Sequence, residues 1–312
     1  MAPPHRPRLP SAPGVCAIAA ALGGEVRGPT LIGLKRTEVG DAPATVSPTA
    51  LYDRLHLLRG VGPFREAQLR AAGYATLRDL CHHPHLGTAA VRALAALEHR
   101  EVDRLSAFRE RGAPSAELLG LFAPHELVFL DIETMGLGFG QEVFLLGLLA
   151  WDDDDEAWCL GQLLLVELAA QRELLAAMLE DLRPYRACLT YNGATFDVPF
   201  LRAALRLSGF EVTVLDAVFH ADLLYPMRRR YGGLLPDCRL TTVAAHVLGM
   251  LRDEDDLPGW AIPLEFEVFL QSGDVGILER ILEHNRQDLL ALRDLTLHEL
   301  ALHVSPVSPM HD

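Results

Sequence analysis

Three groups of residues, far apart in the chain, carry the side chains best suited to chemistry. The first is Asp131 and Glu133, at the end of the apolar run Leu127-Val128-Phe129-Leu130. On a strand this spacing sends both carboxylates to one face. Two such carboxylates repel each other and resist desolvation, and a hard divalent cation relieves both problems. A strand that ends at solvent would also explain the pair. The second group is Tyr191-Asn192-Gly193-Ala194-Thr195-Phe196-Asp197, which leaves a strand, turns at Asn-Gly and enters a helix with Asp197 near its start. There the acid could serve the helix dipole alone. The third is His284 and Asp288, four apart and so on one helix face. They lie beside the apolar stripe of Leu278, Ile281, Leu282, Leu289 and Leu292. A histidine taken singly in that setting reads as a hydrogen-bonded helix residue.

The elements that must position these groups can be read from texture. Leu127 to Glu133, Val143 to Trp151 and Trp158 to Val166 read as three strands, the last two joined at the acidic turn Asp152-Asp153-Asp154-Asp155. A helix from Leu168 to Leu182 precedes a strand from Ala187 to Tyr191, and mostly helical patterns follow. A three-stranded meander followed by alternating helix and strand predicts an α/β fold, a mixed sheet flanked by helices. Before it, helical signals start at Ser47-Pro48 and continue to Arg109, interrupted at Gly60-Val61-Gly62-Pro63. The expected organisation is an extended or partly ordered arm (1–46), in which Leu22 to Arg36 could pair as short strands. A small all-α domain (47–111), a linker (112–126), the α/β domain (127–304) and a tail (305–312) follow.

Charge narrows the choice of partners. The 312 residues include 42 acidic and 28 basic side chains, a net charge of −14. Residues 1–120 carry a net +4 and residues 121–312 a net −18, so the α/β part cannot hold a polyanion by its overall field. Nucleic acid must be met through local patches or through metal ions that invert local charge. Lys35 is the single lysine, and Arg228-Arg229-Arg230 is the best phosphate patch, although such runs are also ordinary solvated helix faces. Five scattered cysteines, with no C-x-x-C pair, predict neither a disulfide framework nor a zinc ribbon, and they fit a reducing cytoplasm. No apolar run approaches the roughly 18 residues of a membrane span. The proline-studded segment before Val15 does not read as an export signal.

Taken in order, D-x-E at Asp131/Glu133, N-G-x-x-F-D ending at Asp197 and H-x-x-x-D ending at Asp288 resemble the DEDD exonucleases of the ribonuclease-H-like superfamily. From Val128 to Leu292 the chain is similar to the YprB-like members of that superfamily. His220-Ala221-Asp222, Cys238-Arg239-Leu240 and the run from Arg252 to Gly259 are supporting pieces. The resemblance implies a ribonuclease-H-like fold and a 3′–5′ exonuclease that uses two Mg²⁺ or Mn²⁺ ions, with DNA favoured over RNA. A non-catalytic nucleic-acid-binding scaffold of the same fold is the rival. It implies that Asp131 bridges both ions, that Glu133 and Asp288 complete one site, and that Asp197 holds the other. His284 would orient or deprotonate the attacking water, Asn192 would contact nucleic acid, and Asp222 would belong to the outer shell. The DEDDy type has tyrosine four residues before the last Asp, and the DEDDh type has histidine five before it. Here His284 occupies the tyrosine spacing.

Leu57 to Phe64, with Gly60, Val61 and Gly62, resembles a helix-hairpin-helix motif, whose glycines let backbone amides approach a phosphate without reading sequence. Gly136-Leu137-Gly138-Phe139-Gly140 lacks the downstream features of a dinucleotide loop, and Cys81-His82-His83-Pro84-His85 lacks a second ligand pair for zinc. The Asp152–Asp155 run reads as a solvated turn.

Overall fold

The strand that carries Asp131 and Glu133 is an inner strand of a seven-stranded mixed sheet. The computed structural model describes residues 14–43, 45–138, 140–252 and 256–303. Residues 1–13 of the arm, the tail 305–312, Phe139 of the glycine-rich loop and Asp253–Asp255 of the acidic motif lie outside the described residues. The chain opens with α1 (Val15–Leu22), β1 (Glu25–Val26) and β2 (Leu31–Glu38). The helical segment follows as α2 (Thr49–Tyr52), α3 (Pro63–Ala71), α4 (Gly87–Glu98), α5 (Val102–Glu110) and α6 (Ser115–Leu119). The meander is β3 (Leu127–Thr134), β4 (Val143–Asp152) and β5 (Ala157–Leu165). After it come α7 (Gln171–Leu182), β6 (Ala187–Thr190), α8 (Asp197–Leu207), α9 (Thr213–Asp216), β7 (Phe219–Asp222) and α10 (Leu224–Tyr231). The chain ends with α11 (Leu240–Leu248), α12 (Ile262–Ser272) and the long α13 (Val275–Ala301).

The strand order is β1-β2-β5-β4-β3-β6-β7. The pairs from β1 through β3 are antiparallel, and β3, β6 and β7 run parallel. This is the mixed sheet with flanking helices that the sequence predicts, and the three meander strands fall where the apolar runs place them. Three expectations need correction. The short strand pair allowed within Leu22 to Arg36 forms as β1 and β2, but β2 also pairs with β5 along its full length, so Leu31–Glu38 is an inner strand of the sheet and not part of an arm. Its partner lies far downstream, which is why local texture shows only a short strand pair. The stretch expected to be a linker is not exposed: it forms α6, and Ala113, Ala116, Leu118, Leu119 and Phe122 are buried. The helix expected between Ser47 and the break at Gly60 shrinks to α2 and a 3₁₀ turn at Leu55–Leu57.

Two apolar clusters hold the sheet. One joins Phe129, Leu149, Trp158 and Leu189 to the helical segment, to α11 and to the C-terminal half of α13. The other joins Val128, Leu130, Leu148 and Leu163 to α1, α7, α8 and the N-terminal half of α13. Leu278, Ile281 and Leu282 belong to the second cluster, and Leu289, Leu292 and Leu295 to the first. His284 to Asp288 sit between them, where α13 passes from one cluster to the other. Burying apolar surface at both ends fixes the polar middle of the helix.

Candidate active site

Along β3 the burial alternates so that Asp131 and Glu133 are the two partly open positions among buried neighbours. The register against β4 slips between Glu133 and Thr134, a bulge that ends regular pairing just past the acids. Asp131 faces Gly147 on β4, which in turn faces Gln162 on β5, so the three share one face of the sheet. Asn285 of α13, wholly buried, drops onto this row. Its Nδ2 donates to Asp131 Oδ2 at 2.8 Å, and its Oδ1 accepts from Gln162 Nε2 at 2.8 Å. Gln162 Nε2 also donates to the Leu282 carbonyl at 2.9 Å, tying the row to the helix backbone.

Asp197 is buried in the first turn of α8. The turn before it is built by Asp222, which ends β7 and is itself buried. Its carboxylate accepts from the backbone amides of Asn192 (2.8 Å), Ala194 (2.9 Å) and Leu224 (2.9 Å). Asn192 takes a left-handed conformation, φ +66°, which asparagine tolerates. Its side-chain oxygen accepts from Thr195 Oγ1 at 2.8 Å. A side chain at Gly193 would run into Thr190, so the turn can pass only with glycine there. Asp222 therefore shapes the loop that delivers Asp197.

Asp131, Glu133 and Asp197 act on one another electrostatically. Their exposed area is modest and protein atoms crowd them, so desolvation is the main force that drives all three to hold protons. It pushes Asp131 up to about 7, with Asn285 and Arg252 working against the rise. Glu133 rises well above the ordinary range through desolvation and then the charges of Asp131 and Asp197. Asp197 rises likewise, through desolvation and the charge of Asp131, offset in part by backbone hydrogen bonds at Asp197 and Ile132.

The fourth carboxylate, Asp288, has a cation on it. Arg252 Nη2 forms an ion pair with Asp288 Oδ1, and its Nη1 lies 2.8 Å from Asp256 Oδ2 and 3.2 Å from His284 Nδ1. His284 Nδ1 is 3.1 Å from Asp256 Oδ1, and its Nε2 is 3.6 Å from Asp288 Oδ2. An unperturbed histidine pKa would suit the water-activating role expected of His284 near neutral pH. Burial and then the Arg252 charge lower it instead, with Asp256 opposing, so the imidazole is neutral at neutral pH.

Among the described residues, one set of three acidic, histidine or cysteine side chains has ligating atoms all within 4.8 Å of one another. It is Asp152, Asp155 and Cys159, at the β4–β5 turn. The motif carboxylates do not close to that spacing. Other expected residues lie elsewhere. Gly60 takes φ +81°, and Gly62 precedes α3, whose first residue is Pro63. Arg228, Arg229 and Arg230 are exposed on α10, but Arg230 Nε is 2.8 Å from the buried carboxylate of Glu299, which makes it a tie to α13. A cleft of about 670 Å³ runs beside the Asp222 turn, lined by Arg109, Ala194, Tyr225, Arg229 and His303 among others.

Sequence reasoning missed Asn285, Gln162, Gly147 and Arg252 as parts of the site. Two signals were available. Asn285 falls on the apolar stripe between Ile281 and Leu289, and Gln162 interrupts an otherwise apolar strand. A polar residue in such a place must find a partner.

A mixed sheet flanked by helices, with paired acids on an inner strand, is the arrangement of the ribonuclease-H-like fold. Residues 128–298, just over half of the chain, match the RNase_H_2 family model, described as RNase_H superfamily, and the chain belongs to that superfamily. The "Uncharacterized protein YprB" of Bacillus subtilis (strain 168) is 31% identical over 176 residues, 56% of this chain and 42% of YprB. The chain thus spans less than half the length of that relative. Among solved structures it is similar to the family B DNA polymerase from the archaeon Pyrobaculum calidifontis. That match has a TM-score of 0.45 and 18% identity, and covers 58% of this chain and 25% of the polymerase. Members of the superfamily are typically nucleases that use divalent metals.

Proposed function

We propose that the protein is a 3′–5′ exonuclease dependent on Mg²⁺ or Mn²⁺, acting on nucleic acid in the cytoplasm, with DNA favoured. The observation that carries this reading is the crowding of Asp131, Glu133 and Asp197, three carboxylates each held above its ordinary pKa by burial, repulsion or both. Such a group is unfavourable in a metal-free fold and is what a hard divalent cation relieves. The donor chemistry fits, since every candidate ligand is an oxygen. Asp131, Glu133 and Asp288 would hold one ion and Asp197, partly through water, the other. Bound there, the ions would supply an activated water and charge stabilisation at the phosphate.

The chain's own residues have separable tasks. Asn285 fixes the Asp131 carboxylate from the α13 side and Asp222 fixes the loop before Asp197. His284, neutral, can accept a proton or a hydrogen bond from water. The cleft beside Ala194 gives a strand a route past Arg229, and the Gly60–Gly62 turn is a second, sequence-blind contact with phosphate. The test is digestion of end-labelled single- and double-stranded DNA and RNA with Mn²⁺, for wild type and Asp131→Asn. Stepwise shortening from 3′ ends by the wild type alone is expected. Equal activity in the variant, or none in either protein, refutes the reading, and preferred digestion of RNA overturns the substrate choice.

A further inference from the structure

The Arg252 guanidinium lies inside the carboxylate centre, not at its edge. Its side chain is 16% exposed, and the atoms that meet, Arg252 Nη2 and Asp288 Oδ1, are both shut off from solvent. They touch as an ion pair without hydrogen-bond geometry, while Nη1 is anchored on Asp256 and faces His284 Nδ1. The charge reaches further, favouring the ionised forms of Asp131 and Glu133 and opposing protonation of His284. An arginine cannot shed its proton in a protein. Arg252 is therefore a permanent positive charge placed on the fourth motif carboxylate, Asp288.

We infer that Arg252 is the resident cation of the carboxylate centre, competing with a divalent ion for Asp288 and setting the ion concentration at which the site loads. This rests on the reading of Asp131, Glu133, Asp197 and Asp288 as a metal centre. The competition follows from charge and space. An ion ligated through Asp288 Oδ1 must displace Nη2, and one ligated through Oδ2, which lies 3.6 Å from His284 Nε2, must still tolerate or expel a like charge beside it. Asp256 gives the displaced guanidinium somewhere to stay, since it holds Nη1 independently of Asp288. Without a metal, the Arg252 charge offsets part of the cost of keeping Asp131 and Glu133 ionised.

The experiment is an Mn²⁺ titration of the full chain without nucleic acid, followed by the EPR signal of free Mn²⁺, alongside thermal melts in EDTA. Arg252→Gln is expected to bind Mn²⁺ at least fivefold more tightly than wild type while melting lower in EDTA. Arg252→Met, which keeps the apolar stem, is expected to do the same and serves if the Gln variant does not fold. Arg252→Lys, which keeps the charge, should stay within twofold of wild type. So should Arg280→Gln, which removes an exposed arginine of α13 that pairs with Glu265. If wild type binds Mn²⁺, Asp131→Asn loses it and the neutral Arg252 variants bind no more tightly, the inference is overturned and the metal centre stands. If wild type binds no Mn²⁺ at millimolar concentration, the metal centre falls and the inference with it.

Discussion

Asn285 fills the space that a side chain at Gly147 would take: a Cβ there would collide with Asn285 Oδ1 and lie 2.6 Å from Leu289 Cδ1. The missing side chain on β4 is what lets α13 come close enough for Asn285 to reach Asp131 on one side and Gln162 on the other. Strand backbone, helix packing and the orientation of the first acid are thus coupled through one methyl-sized gap.

That coupling makes Gly147→Ala a sharp test. The added methyl must push α13 outward or turn Asn285 away, and overpacking of this kind costs about 1–3 kcal/mol. Urea unfolding should show that loss. If the proposed activity holds, turnover should fall well beyond what the lost stability explains, because Asp131 is no longer held. A variant with wild-type stability and turnover would show that the gap is incidental.

The sequence reveals this site unevenly, and the reasons are physical. Asp131, Glu133 and Asp197 stand out because each ends or begins an element whose apolar pattern is strong. Val143 to Trp151 is legible as a strand from its near-unbroken apolar texture. β2 is only half legible, since Leu31-Ile32-Gly33-Leu34 is short and its partner β5 is distant in sequence. Arg252 cannot be found locally at all. It stands in a run of acids, any of which could have been its partner, and the partner that matters lies on α13. Asp222 was visible as an acid, but its role as acceptor for three amides depends on the parallel pairing of β6 with β7.

Asp222→Ala should therefore act through the turn and not through a ligand. Three backbone amides lose their acceptor, and each buried amide left unpaired costs about 1–3 kcal/mol. Hydrogen exchange at the Asn192 and Ala194 amides is expected to accelerate more than at the core amides of β3. Uniform acceleration across the sheet would mean that Asp222 supports global stability only.

Asp131→Asn should stabilise the metal-free protein. The folded carboxyl titrates near 7 against an ordinary value of 3.8, so the folded state binds the extra proton between those values. Its contribution is favourable below 3.8 and is lost as pH rises through 7. The amide removes that loss while its oxygen can still accept from Asn285. In EDTA at pH 8 the variant should melt above wild type, and the gap should narrow toward pH 4. A variant that melts lower at pH 8 would mean that the acids do not burden the fold.

His220 gives a pH dependence of opposite sign, away from the acids. Burial lowers its pKa from 6.5 to about 4, the charges of Arg109 and Arg202 add to the drop, and Asp222 opposes it. The ring nitrogen Nε2 lies 2.8 Å from Thr190 Oγ1, and Arg109 Nη1 donates to the His220 carbonyl, joining α5 to β7. Above 6.5 the imidazole is neutral in both folded and unfolded chains and carries no penalty. As pH falls from 6.5 toward 4 the unfolded chain takes up the proton first, and the fold loses up to about 3 kcal/mol. The raised carboxylates work the other way over this range, so the useful quantity is the difference between wild type and His220→Gln. The urea midpoint of wild type should fall relative to the variant between pH 6.5 and pH 4, and the difference should be flat above pH 7. Parallel midpoints across the whole range would show that His220 is protonated as readily in the fold as in the open chain.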